Sequence, residues 1–157
     1  MCEVVFLAFD RTPLWVPFID FRIPAGFPSP AQDYEETLVD LNALLLQHPA
    51  STYLARVYGD SMDGACGIRD GCLITIDTSM KPKPGQVVVA MLEGEYTVKR
   101  LVQRGPTWWL EPDNPKYEAT EIIDRENFFV RGVVTHVLTE LVQGNLTSSH
   151  VRARRLQ

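Results

Sequence analysis

The sequence predicts a mainly β protein: a compact domain of curled antiparallel sheets with one short helix, preceded by an extended N-terminal arm. Three observations carry this reading. Between Ser51 and Leu138 the chain runs through stretches rich in Val, Ile, Thr, Tyr and Trp, separated by clusters of Gly, Pro, Asp and Asn. Only the segment after Asp40 carries a helix start and stop. The length, 157 residues, suffices for a single core with an arm or tail to spare.

Residues 1–25 read as an arm, with short apolar patches, prolines at Pro13, Pro17 and Pro24, and no sustained period. Residues 26–50 begin with "GFPSPAQD", where Pro28 and Pro30 keep the backbone extended. A helix is predicted over about Leu41–Gln47, capped by Asp40 and stopped before Pro49, with Leu41, Leu44 and Leu45 toward the core. Residues 51–141 form the predicted β domain, with strands near 52–58, 72–77, 86–92, 95–101, 107–111 and 128–138. "QVVVAMLEGEYTVKRL" reads as a hairpin turning at Glu93-Gly94, and "PDNPKY" as a loop. The tail, residues 142–157, loses the pattern, ends basic at Arg152, Arg154 and Arg155, and is expected to fray.

Composition narrows the function. The net charge of −5 argues against a protein that holds nucleic acid by bulk electrostatics, and no specific DNA binding is expected. Cys2, Cys66 and Cys72 are an odd set without CxxC spacing, which fits a reducing cytoplasm better than a disulfide framework or a zinc site. No metal and no cofactor are expected. No apolar run has the length of a membrane span. The apolar start is broken by Asp10, Arg11 and Pro13 and lacks a basic leader, so no signal peptide is expected.

The stretch "VYGDSMDGACG" presents Ser61 between Gly59 and Gly64. A serine nucleophile needs a partner to take its proton. Of the histidines, His48 precedes a proline, His150 lies in the tail, and His136 sits in a predicted strand with no motif to support a triad. The four lysines stand against eleven arginines. Lys81, Lys83 and Lys116 fall in loops or turns, whereas Lys99 alone lies inside a strand, on the same face as Thr97 and Leu101. Arg100 points the other way. An ordinary lysine is neutral about once in 2,500 at neutral pH, and burial can lower its pKa by about 3 units. Ser61 and Lys99 are therefore a candidate Ser–Lys dyad, beside the blander reading of Lys99 as a solvated strand residue.

"GDSM", then "DGCLITID", then "PGQVVVAMLEGEYTVKRL" resemble the LexA/UmuD family of self-cleaving serine peptidases. The likeness runs from about residue 24 to 138 and, through "AGFPSPAQDYEETLVDLNALLLQHPASTYLARVYGDSM", is nearest the UmuD branch. It implies a LexA-like peptidase fold, Ser61 as nucleophile, Lys99 as general base, and an oxyanion pocket from the Ser61 and Met62 backbone amides. The bond cut would be Ala25–Gly26, in the chain's own arm. It further implies a cytoplasmic homodimer stimulated by a RecA–single-stranded DNA filament. Its shortened form would serve a UmuC-type error-prone polymerase in the SOS response. Twenty-five residues before the cut are too few for a winged-helix DNA-binding domain.

The sequence departs from the family pattern in "SMDGACGIRDG", one residue longer, with Cys66 as the insertion. Gln86 stands where an acidic residue is common, and Pro24 precedes Ala25. Cys66 and Cys72 read as small buried or turn residues. Two other readings stay open here. One is an interaction module of the same fold that no longer cuts. The other is a signal-peptidase-like enzyme acting in trans, against which the missing membrane anchor argues.

Overall fold

Val, Ile and Thr fill the segments between turns, and branched side chains favour a pleated backbone. The computed structural model, which describes residues 3–5, 12–19, 25–26 and 36–142, forms strands along most of that length. The larger unit contains β1 (Glu3–Val5), β4 (Thr52–Arg56), β5 (Leu73–Asp77), β6 (Val87–Leu92), β7 (Glu95–Arg104), β8 (Thr107–Glu111), β9 (Thr120–Glu121) and β10 (Phe128–Leu138). They form one antiparallel sheet in the order β1-β4-β5-β10-β6-β7-β8-β9.

The core follows from alternation. Val87 and Val89 of β6 pack with one cluster that includes Ile74, Ile76 and Val98. Val88 and Ala90, the intervening residues, join a second with Leu101, Leu110, Ile122 and Val133. Successive side chains of a strand point to opposite faces, so β6 is buried on both. Each such aliphatic side chain contributes about 1.5–3 kcal/mol when fully buried. The long β10 changes register between Val130 and Gly132 against β6, and between Val134 and His136 against β5. Such bulges bend a strand and curl the sheet. Gly132 is required there, because a Cβ would stand 2.8 Å from Asp77 O and 2.7 Å from Ile76 Cγ2.

The turn joining β6 to β7 is the predicted one. Glu93 and Gly94 both have positive φ, +51° and +84°, as a tight hairpin turn demands. The strands agree with the expected ranges to within three residues at each end, and those at 107–111 and 128–138 match them.

A second, smaller unit contains β2 (Trp15–Ile19) paired with β3 (Glu36–Asp40), followed by α1 (Leu41–Leu45). Asp40 caps the helix, its carboxylate accepting from Asn42 N at 3.1 Å and from Leu14 N at 2.9 Å. The expected end at Gln47 is corrected to Leu45: the Leu46 amide closes the last turn on Asn42 O, and the chain then leaves the helix. The expected burial of Leu44 is also corrected. In a helix of five residues Leu44 faces outward, 57% exposed, and Leu46 is the buried leucine.

The expectation of an arm without regular structure is revised at two places. Glu3–Val5 pairs with β4, and Trp15–Ile19 pairs with β3. These strands are short, and β2 holds a proline, which a two-stranded sheet tolerates because both of its strands are edges. No alternating pattern announces them. The tail from 143 to 157 and the arm residues around Ala25 and Gly26 lie outside the described residues. No helix of the described residues is long and apolar enough to cross a membrane.

Candidate active site

Ser61 lies in the loop between β4 and β5. Its base is closed like a hairpin, with Val57 N donating to Cys72 O at 3.0 Å and Gly71 N to Val57 O at 2.8 Å. Gly59, at φ +89°, turns the chain where an L side chain would be strained, and its amide donates to the Asp70 carboxylate at 2.7 Å. Next to the serine, Met62 is 2% exposed and belongs to the first core cluster with Ile68 and Val98. An apolar anchor thus seats the loop on the sheet while Ser61 stays half-buried.

Lys99 sits midway along β7. Its Nζ lies 2.8 Å from Ser61 Oγ, 3.1 Å from Thr97 Oγ1 and 3.0 Å from Val98 O. Burial lowers its pKa below the ordinary lysine value. The three contacts suit either protonation state. A charged amine donates one hydrogen to each. A neutral amine donates to Thr97 and Val98 and turns its lone pair to the Ser61 hydroxyl, the arrangement in which it can take that proton. The Ser61 and Met62 amides have no hydrogen-bond partner among the described residues.

A second group of contacts ties this loop to the segment after β8. Asp113 accepts from Arg100 Nε at 3.0 Å and from its terminal nitrogen at 2.7 Å, and also from Cys66 N at 3.0 Å. Burial by itself would raise the Asp113 carboxyl, but the hydrogen bonds from Arg100 and Cys66 outweigh it and hold the group below the usual carboxylate range. Asn114, buried at 7% exposure, donates from Nδ2 to Asp60 O at 2.9 Å and from its backbone to Ser61 O at 3.1 Å. Tyr117 Oη donates to the Asp60 carboxylate. The Cys66 thiol, whose pKa is pushed up by burial and by Asp113, donates to Met62 O at 3.4 Å.

The fold places Lys99 Nζ against Ser61 Oγ, with Met62 the next residue of the loop. Ala25 and Gly26 are exposed residues of the smaller unit. His136 instead meets Thr75 and Thr135, at 3.3 and 3.1 Å from its Nδ1. Asp113, Asn114 and Tyr117 were legible only as a turn, from the Asp-Asn-Pro signal of "PDNPKY". Among the described residues no group of three His, Cys, Asp or Glu side chains is placed to hold a metal ion.

Residues 17–135 match the Peptidase S24-like family. The chain is 44% identical over 124 residues to Protein ImpA of Salmonella typhimurium, spanning 78% of this chain and 82% of that one. It is 43% identical over 126 residues to Protein MucA of Escherichia coli, 80% and 85% of the two chains. The LexA repressor of Ectopseudomonas mendocina is 36% identical over 118 residues, 74% of this chain but 57% of the repressor. On that match and those identities, the chain belongs to the S24-like peptidase family, within the UmuD group that its GDSM and TVKRL stretches resemble.

Proposed function

We propose that this protein is an autoproteolytic serine peptidase that cuts its own arm between Ala25 and Gly26. Membership of the S24-like family supports a peptidase. The observation that carries the finer reading is the 2.8 Å contact between a burial-depressed lysine and a serine hydroxyl. In the reaction, neutral Lys99 Nζ takes the Ser61 proton as Oγ bonds to the Ala25 carbonyl carbon. The Ser61 and Met62 amides hold the oxyanion. Lys99 then passes its proton to the Gly26 nitrogen, which leaves. A water, deprotonated by Lys99, releases Ala25 from Ser61 and restores the hydroxyl.

A tethered substrate needs no deep pocket, because attachment supplies a high effective concentration. Cleavage needs the Ala25 carbonyl at Ser61, and a RecA–single-stranded DNA filament would act by favouring that placement. The product, beginning at Gly26, would work as a homodimer with a UmuC-type polymerase in error-prone synthesis past DNA damage. The similarity to ImpA and MucA supports a place in an SOS-mutagenesis system.

The test is incubation of the purified chain from neutral to alkaline pH, with and without RecA filament, followed by N-terminal sequencing. The expected result is a new terminus, Gly-Phe-Pro-Ser, formed faster as pH rises, with Ser61→Ala and Lys99→Ala both inert. An intact arm under every condition would overturn self-cleavage and leave a non-cutting interaction module of the same fold.

A further inference from the structure

Asn114 lies outside the dyad, in a segment the sequence marked only as a loop. Its contacts bracket the serine. Nδ2 donates to the carbonyl of Asp60, and its backbone amide donates to the carbonyl of Ser61. Its remaining side-chain atom, Oδ1, accepts from Lys116 N at 3.1 Å, the usual bond of an asparagine-led turn. A turn accounts for that third bond but not for the first, which reaches 54 positions back along the chain. Tyr117, on the same turn, holds the other side of Asp60 through its carboxylate. The turn itself is closed by Tyr117 N donating to Asn114 O at 3.1 Å.

We infer that Asn114, assisted by Tyr117, is a positioning residue that keeps Ser61 Oγ within reach of Lys99 Nζ. This inference rests on the Ser–Lys reading proposed above. The loop around Ser61 has no strand ladder to set its height above β7. Met62 seats it from below, Asp63 N donates to Asp60 O at 3.0 Å within the loop, and the two bonds from Asn114 tie the backbone on either side of the serine to the segment after β8. A shift of about 1 Å at a reacting atom can cost about 100-fold in rate. An aliphatic side chain of similar size would fill the same space, but it could not donate to Asp60 O.

The test compares Asn114→Ala and Tyr117→Phe with the wild type below their melting temperatures. Self-cleavage is followed across pH. In parallel, an alkyl fluorophosphonate is added, from which Ser61 Oγ displaces fluoride, so labelling reads the nucleophile without the arm. Asn114→Ala is expected to cleave about 10- to 100-fold more slowly, and Tyr117→Phe about threefold. The midpoint of the pH profile should move upward, since a displaced serine lets water reach the amine, and labelling should fall in step. A merely structural role would lower the melting temperature and leave the midpoint and labelling alone, which would overturn the inference. If the wild type never cuts its arm, labelling still decides: reduced labelling in Asn114→Ala supports the positioning role and equal labelling overturns it. If Asn114→Ala does not fold, Tyr117→Phe decides on the same readouts, because it removes one hydroxyl from an exposed ring.

Discussion

Lys99 rides on a ten-residue strand paired to β6 on one side and to β8 on the other. Ser61 rides on a loop held by separate bonds: Gly59 to Asp70, Cys66 to Asp113, Asp60 and Ser61 to Asn114. A ladder is redundant, because many bonds share the task of placing one residue. The loop has less redundancy: Asp60 O accepts from Asp63 N at 3.0 Å as well as from Asn114, but the other contacts are single bonds. The proposed base is thus placed by the sheet as a whole, and the proposed nucleophile by a few named contacts. Substitutions should damage the chemistry through the loop and the stability through the sheet.

The largest expected effect tests the amine itself. Lys99→Arg keeps a long cation in the strand, but a guanidinium does not lose its proton in a protein. Self-cleavage should fall about 1,000-fold or more at every pH, read on gels over days. The wild-type rate should climb with pH through the lowered lysine pKa and then level, because only the neutral amine accepts the proton. Cutting by Lys99→Arg, or a rate that falls as pH rises, would break the comparison at its base.

Gly64→Ala comes next. Its Cβ would stand 2.4 Å from Asp113 O, a backbone atom that cannot swing aside. The loop must shift, with about a tenfold loss of rate and a stability cost of about 1–3 kcal/mol. A wild-type rate would show that the loop contacts are as redundant as the ladder.

Asp113→Asn is expected to slow cleavage a few-fold, since it weakens the link between Cys66 and Arg100 while keeping the shape. Its sharper signature is in acid. The carboxyl is held low in the folded state, so its contribution to stability is full above the ordinary carboxylate range and is lost as pH falls through that range to the folded value. Melting measured at a series of acidic pH values should be less pH-dependent in Asp113→Asn than in the wild type. An unchanged acid limb would mean that the Arg100 pair does not hold the loop.

The smallest effect on rate belongs to the sheet. Leu110, 2% exposed in the second core cluster, should cost about 2–5 kcal/mol when cut to alanine. Below the melting temperature, cleavage should change by no more than about twofold. A much larger loss of rate would mean that the sheet is not the forgiving half.

Much of this architecture was legible in advance, for local reasons. The hairpin turn at Glu93-Gly94 could be read from a glycine between two β-forming runs, and both residues adopt the positive φ such a turn requires. Asp40 could be read as a cap because its carboxylate needs only the next amides. β1, β2 and β3 could not be read, since short edge strands carry too few residues to show a period. Nor could the outward turn of Leu44, which depends on where a five-residue helix stops. In the site, Ser61 and Lys99 stood out by residue type and setting. Asn114 did not, because an asparagine before a proline looks like any turn residue until the segment it meets is known.

The sequence alone determined where most of the chain after Ser51 would be extended and where it would turn, and it singled out Ser61 and Lys99 as candidates. These are matters of alternation and backbone preference over a few neighbouring residues. Tertiary structure decided that β10 lies between β5 and β6, that Lys99 Nζ loses water, and that it meets a serine 38 positions away. Sheet order and the burial of an amine arise from the packing of segments far apart in the chain, which no local pattern encodes.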